Sequence, residues 1–88
     1  MIRRYDMTRS DNAPVTNRCM MPVRGKSGSF VVYTPIKACT VVISPIRIPE
    51  GGSIMLDNSS LGKDNTFRVM YDNMPGKRNF VEFSFVVQ

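Results

Sequence analysis

Residues 66–88 alternate between apolar and polar side chains, and this pattern constrains the fold of the chain more than any other feature. The alternation runs through Thr66–Asp72 and resumes from Asn79 to Gln88. A period of two places successive side chains on opposite faces of a β-strand. We therefore predict two strands, joined by a turn over Asn73–Lys77 and paired as an antiparallel hairpin. The side chains predicted to face the core are Phe67, Val69, Tyr71, Val81, Phe83, Phe85 and Val87.

The chain before residue 66 contains further segments of β type. Residues 29–34, 37–43, 46–48 and 53–57 are rich in β-branched or aromatic side chains, and Pro or Asn follows each of them within two residues. No segment of helical length carries the apolar spacing of an amphipathic helix. The sequence therefore predicts an all-β fold, a small antiparallel sandwich or barrel of about five to six short strands with an extended N-terminal arm.

Positive charge is concentrated in the first third of the chain. The 88 residues carry a formal net charge of 12 − 7 = +5, of which residues 1–28 contribute 6 − 2 = +4 and residues 29–88 contribute 6 − 5 = +1. Residues 1–28 have no apolar periodicity, and Pro14 and Pro22 oppose a helix there. We predict a basic extended N-terminal arm over residues 1–28 and a β-sandwich or barrel body over residues 29–88. The arm either docks on a neighbour or is a solvated tail.

The N-terminus does not have the pattern of an export signal. Met1–Arg4 carries positive charge, but Tyr5–Arg9 does not supply the apolar stretch of about 7–15 residues that such a signal requires. We therefore expect no secretion signal, and we expect the thiols of Cys19 and Cys39 to be reduced. No segment approaches the roughly 18 consecutive apolar residues of a membrane-spanning helix, so a membrane is not among the expected partners.

The side chains that most enzymes use are scarce in this sequence. The chain has no His, and its two cysteines do not complete a four-ligand zinc site. Gly25–Ser27 resembles the end of a phosphate-binding loop, but Met20 stands where that loop requires a glycine. Cys39 lies among apolar residues and is predicted to be a small buried hydrophobe. We expect no enzyme activity, no catalytic or cofactor-binding residue, no metal site and no small-molecule substrate.

A structural or assembly protein is the class that remains. Such a protein needs no catalytic group, and a domain this small gains stability when neighbours cover its surface. A compact β-body with an extended terminal arm is also typical of small virion proteins of bacterial viruses, such as decoration, cement and minor head or tail subunits. That likeness is one of architecture alone. We predict a virion subunit, located in the cytoplasm before assembly, whose partners are other protein subunits in a homo- or hetero-oligomer.

Two sets of residues are predicted to contact the neighbours. Arginines bind carboxylates and phosphates through paired hydrogen bonds, so the arm is expected to contact protein, with nucleic acid as the second candidate. The last strand has apolar side chains on both faces and is therefore either a central strand or an edge strand that pairs with another subunit. The arm residues are Arg3, Arg4, Tyr5, Arg9, Arg18, Arg24 and Lys26, and the edge-strand residues are Phe80, Glu82, Ser84 and Val86.

Binding of single-stranded nucleic acid by a small β-barrel is the alternative function. Such barrels combine basic residues with aromatic side chains that stack on bases. Two features of the sequence oppose this function: the aromatics of the clearest strands share a face with valines, and the body carries a charge of only +1. The candidate stacking residues are Phe30, Tyr33, Phe67, Tyr71, Phe80, Phe83 and Phe85.

Overall fold

The computed structural model describes residues 15–87, which form two antiparallel three-stranded sheets. The strands are β1 (Val15–Arg24), β2 (Gly28–Tyr33), β3 (Val41–Arg47), β4 (Ser53–Leu56), β5 (Thr66–Asp72) and β6 (Arg78–Val87), and a short 3₁₀ turn spans Asn58–Ser60. The first sheet has the strand order β1–β6–β3, and the second has the order β2–β5–β4. The predicted all-β fold is confirmed, as a six-stranded arrangement of open sheets and not as a closed barrel.

The core lies between the inner faces of the two sheets, and all the side chains that the alternation predicted to be core are buried there. Aromatic rings connect the sheets. The ring centroids of Phe67 and Phe85 are 5.2 Å apart in an edge-to-face contact, and those of Phe30 and Phe83 are 5.9 Å apart. Full burial of one Phe side chain stabilises a fold by about 1.5–3 kcal/mol. The two sheets are therefore held together mainly by the inward-facing rings of β2, β5 and β6.

The predicted hairpin of the last two strands is wrong. β5 pairs with β2 and β4, whereas β6 pairs with β1 and β3, so the two strands belong to different sheets. The turn at 73–77 does exist, but it crosses from one sheet to the other and is anchored by the buried side chain of Met74. Each strand has one apolar face, and stacking β5 against β6 buries both faces at once. That gain explains why the strands face each other instead of pairing edge to edge.

The structure corrects the division of the chain at residue 28. Residues 15–24, which the sequence analysis assigned to the arm, form β1 and pair with β6 along the whole strand, from Val15 opposite Val87 to Arg24 opposite Arg78. β1 belongs to the sandwich because Met21 and Val23 on its inner face pack on the core. The remaining arm residues, Arg3, Arg4, Tyr5 and Arg9, lie outside the described residues.

The segment between β2 and β3 also differs from the sequence prediction. The two predicted strands at 37–43 and 46–48 are one strand, β3, which passes through Pro45 and contains a β-bulge between Pro45 and Arg47. Cys39, predicted to be buried within a strand, is exposed in the preceding loop. Ala38 is the buried residue there, because its N–H donates to the carbonyl of Asp64 at 3.2 Å and holds the loop against the core.

Candidate interaction surfaces

The outer face of the first sheet collects four arginines from three strands. We call it the basic face: its charged side chains are Arg18 and Arg24 of β1, Arg47 of β3, and Arg78 and Glu82 of β6, giving 4 − 1 = +3. The strand register arranges this face in cross-strand rows. The rows are Arg24–Arg78, Pro22–Phe80, Met20–Glu82–Arg47, Arg18–Ser84–Ser44 and Thr16–Val86–Val42.

Positive charge is densest where β1 ends and β6 begins. Arg24 lies directly opposite Arg78 in the β1–β6 pair, and both side chains are exposed. The adjoining turns bring Lys26 and Lys77 to the same end of the sheet, because the N–H of Met74 donates to the carbonyl of Lys26 at 3.0 Å. Like charges placed opposite one another destabilise a sheet. This cationic end, Arg24, Lys26, Lys77 and Arg78, therefore concentrates four positive charges, and no ion pair to it is found among residues 15–87.

The backbone of Arg24 is fixed from the opposite sheet by Tyr71. The Tyr71 hydroxyl donates to the carbonyl oxygen of Arg24 at 2.7 Å. Gly28 makes room for this ring, because a Cβ at position 28 would lie 2.6 Å from the hydroxyl oxygen and 2.9 Å from Cζ of Tyr71. Gly25 lies in the turn between Arg24 and Gly28 and has a φ of +78°, a conformation that favours glycine. The end of β1 is thus held by a contact between the two sheets.

The one carboxylate of the basic face is already engaged. Oε2 of Glu82 lies 3.8 Å from Nε of Arg18, and the register places Arg47 on its other side. Glu82 is half-buried, whereas the Arg18 side chain is mostly exposed. An ion pair of this kind contributes at most about 1 kcal/mol to stability. Glu82 neutralises the middle of the face, and among residues 15–87 it forms its ion pair with Arg18 and not with the cationic end.

Phe80 lies next to the cationic end and is 61% exposed. It occupies the row between Arg24–Arg78 and Met20–Glu82. Phe80, Glu82, Ser84 and Val86 were predicted to form an edge-strand interface if β6 is an edge strand, and the structure corrects this. β6 is the central strand of the first sheet, paired with β1 along its whole length and with β3 from Glu82 to Val87, and these four residues lie on the outer face of the sheet.

The outer face of the second sheet differs from the basic face in its charge, whereas both faces expose large apolar side chains, which on the basic face are Met20, Val42 and Phe80. Four large apolar side chains are exposed on the second sheet, and we call their surface the apolar face: Val31, Tyr33, Met55 and Met70. Met55 of β4 lies opposite Met70 of β5. The charged residues on this face are Arg68, Asp57 and Asp72, for a net charge of 1 − 2 = −1. The two outer faces of the sandwich therefore differ by four charges, +3 against −1.

Arg68 lies in the middle of the apolar face, on the central strand β5 opposite Val31, and it forms an ion pair with Asp57 at the end of β4. Nε of Arg68 lies 3.9 Å from Oδ2 of Asp57, and the Ser59 hydroxyl donates to Oδ1 of Asp57 at 2.7 Å. The Ser59 hydrogen bond is the main cause that lowers the pKa of Asp57 below 3.8, with a smaller contribution from Arg68. Asp57 also caps the 3₁₀ turn by accepting from the backbone N–H of Ser59. This carboxylate therefore has a structural role.

The four edge strands differ in how freely they can accept another strand. β1 contains Pro22, β3 contains Pro45 and a bulge, and β4 has only four residues. Prolines, bulges and short length all oppose edge-to-edge pairing. Among the described strands, β2 is left as the edge without such an obstacle, and it carries Val31 and Tyr33 of the apolar face.

Within residues 15–87 no group of three or more His, Cys, Asp or Glu is placed to hold a metal ion. The same part of the chain contains no helix that is long and apolar enough to cross a membrane.

Comparisons of the chain with protein-family models, with curated proteins and with solved structures find no match.

Sequence reasoning identified some residues of these surfaces and missed others. Arg18, Arg24 and Lys26 were predicted to bind a partner as parts of an arm, and the structure places them on β1 and the turn that follows it. Arg47 and Arg78 were not predicted to join them, because only the pairing of β3 and β1 with β6 brings the three strands together. Of the candidate stacking aromatics, Tyr33 and Phe80 are exposed, on opposite faces of the sandwich. The others lie in or against the core: Phe30, Phe67, Tyr71, Phe83 and Phe85.

Proposed function

We propose that this protein is a non-enzymatic assembly subunit that associates with copies of itself through the apolar face. The observation that carries the proposal is the exposure of Val31, Tyr33, Met55 and Met70 on one nearly neutral sheet face. Apolar side chains grouped on a surface mark contact sites for other proteins. Two of the four are methionines, whose flexible side chains adapt to an opposing surface.

Charge favours a second copy of this chain as the occupant of the apolar face. A twofold contact places the same surface on both sides, so its net charge meets itself. The apolar face carries −1, and its Arg68 is already paired with Asp57, so two copies meet with little repulsion. The basic face carries +3 and would repel its own copy. Two sheets that stack face to face pack about 10 Å apart, a distance that side chains of this size fill.

The edge of β2 extends the same surface. Its open side lies next to Val31 and Tyr33, so pairing along this edge and packing on the apolar face can belong to one contact. The arm residues Arg3, Arg4, Tyr5 and Arg9 stay predicted contributors to docking on neighbours. The assignment to a virion likewise stays a prediction, based on the likeness of architecture.

Light scattering across a range of protein concentrations tests the proposal with a matched pair of variants. Met55 and Met20 are exposed to similar extents, 64% and 58%, on opposite faces. Met55→Lys places a charge inside the proposed contact twice, once from each copy, and buried charges are costly. We expect it to weaken association about 100-fold or more, a change of about 2.7 kcal/mol or more. Met20→Lys is expected to leave association unchanged.

Two results would contradict the proposal. One is a wild-type chain that keeps the mass of a single copy at all concentrations. The other is an equal loss of association in Met20→Lys and Met55→Lys, because that result would place the contact on both faces. Circular dichroism of both variants confirms that the β-fold is retained.

A further inference from the structure

We infer that the basic face binds single-stranded nucleic acid, with phosphates at the cationic end and a base stacked on Phe80. This site lies on the other sheet from the self-association surface and goes beyond the proposed function. The inference combines three observations: the opposed pair Arg24 and Arg78, the two lysines beside it, and an exposed aromatic ring in the next row.

The cationic end is complementary to a polyanion. The direct opposition of Arg24 and Arg78 costs stability in the chain alone, and a phosphate between them would turn repulsion into two attractions. Arginine guanidinium groups also match phosphate oxygens with paired hydrogen bonds. Two carboxylates of residues 15–87 that lie on the adjoining strands do not form an ion pair with this end: Glu82 is engaged by Arg18, and Asp72 lies on the outer face of the second sheet.

Phe80 indicates why the polyanion is a single-stranded nucleic acid. An acidic peptide or a duplex would satisfy the arginines, but a peptide offers a flat ring only where it contains an aromatic residue, and the bases of a duplex are already stacked on each other, whereas every unpaired nucleotide carries a flat ring. Unpaired bases stack on exposed aromatic side chains with little regard to sequence. Phe80 projects from the outer face of β6 opposite Pro22 of β1, and the pairing of β6 with β3 begins only at Glu82, so the side of β6 next to this ring is open. A ring beside a cluster of positive charges on a sheet face is the usual arrangement for this ligand.

Fluorescence anisotropy with the full chain and a labelled single strand of about 12 nucleotides tests the inference. We expect binding by both oligothymidylate and oligouridylate. If four phosphates meet the four cations, the affinity should fall with salt at a log–log slope of about −3, because each phosphate contact on a single strand contributes about −0.7. The double variant Arg24→Gln/Arg78→Gln should reduce the slope to about −1.4.

Matched variants separate the site from general electrostatic attraction. Lys37→Gln/Lys63→Gln removes the same charge from exposed positions outside the basic face and should change affinity far less than Arg24→Gln/Arg78→Gln. Phe80→Ala should weaken binding about 5- to 100-fold, the range for loss of one base stack. Tyr33→Ala removes an aromatic ring of similar exposure, 66%, from the opposite face and should leave affinity within about twofold.

Three outcomes would overturn the inference. The first is no oligonucleotide binding at low salt. The second is equal binding of duplex, heparin or polyglutamate together with an unchanged affinity of Phe80→Ala, because the face would then attract any polyanion, acidic proteins included. The third is an equal effect of the two glutamine double variants. Because Met55→Lys is expected to bind the oligonucleotide normally, failure here is distinguishable from failure of the self-association proposal.

Discussion

Arg24 and Arg78 occupy directly opposed positions in the β1–β6 pair, although they are separated by most of the chain. Tyr71 holds the backbone of Arg24 in place from the second sheet, and Arg78 begins the central strand of the first. The backbone register of the two strands thus places two exposed arginines opposite one another. An anion-binding site explains this arrangement, because such a site can be kept although it lowers the stability of the fold.

Reversing one charge of this pair should move stability and binding in opposite directions. Arg24→Glu converts a repulsive cross-strand pair into an attractive one and should raise the free energy of unfolding by about 0.5 kcal/mol. The same change should abolish oligonucleotide binding at moderate salt. Urea unfolding and anisotropy measure the two effects. Arg24→Gln is the control and should show a smaller gain in stability, and a less stable Arg24→Glu would contradict the account.

Neutralising Glu82 should strengthen nucleic-acid binding. Glu82→Gln raises the net charge of the basic face from +3 to +4 and releases Arg18 for a phosphate. We expect the log–log slope of affinity against salt concentration to become steeper by about −0.7, which corresponds to one further phosphate contact. The free energy of unfolding should change by less than about 1 kcal/mol, because the Arg18 partner is mostly exposed. An unchanged affinity would place the ligand away from the middle of the face.

The pKa of Asp57 should depend on Ser59. Ser59→Ala removes the hydroxyl donor that is the main cause of the lowered pKa, so the pKa should rise toward its ordinary value of 3.8. A carboxyl whose folded-state pKa is lowered contributes stability above its ordinary pKa, and that stability is lost as the pH falls through the lowered value. Ser59→Ala should therefore lose less stability on acidification.

Carboxyl chemical shifts measured by NMR across acidic pH test this prediction. Ser53→Ala removes a hydroxyl from an exposed position on the same sheet and should leave the Asp57 titration unchanged. An Asp57 titration that is the same in Ser59→Ala and the wild type would show that the backbone cap and Arg68 suffice to lower the pKa.

Gly28 and Tyr71 should be coupled in stability. Gly28→Ala places a methyl group against the Tyr71 ring and should destabilise the fold by about 1–3 kcal/mol. Tyr71→Phe should cost about 1 kcal/mol through the lost hydrogen bond to Arg24. Because the closest clash is with the hydroxyl oxygen, Gly28→Ala should cost less in the Tyr71→Phe background. Denaturant unfolding of the four chains gives the coupling, and strictly additive effects would contradict it.

The alternation in β5 and β6 predicted which side chains are buried, because a period of two depends only on the strand itself. The alternation did not predict which strands pair. An apolar strand face is buried equally well whether the other strand of the predicted hairpin is its neighbour in the same sheet or lies in the opposing sheet. β1 was overlooked because Met20, Met21 and Pro22 obscure the alternation of its inner residues. The arm boundary was misplaced for that reason.

The basic face could not be derived from the sequence for a related reason. Arg18, Arg47 and Arg78 are far apart along the chain, and only the β1–β6–β3 order places them on one surface. The local run from Lys77 to Phe80 did contain a usable signal, because it combines two cations with an aromatic residue. Its meaning depends on Phe80 pointing outward from a central strand, which the sheet order decides.

The independence of the two faces is the central claim, and sedimentation velocity of Met55→Lys mixed with a labelled single-stranded oligonucleotide tests it most directly. The account predicts that the labelled strand sediments with single protein copies, so that self-association is lost while oligonucleotide binding is kept. A variant that loses both together, or that retains the associated mass of the wild type, would contradict the account.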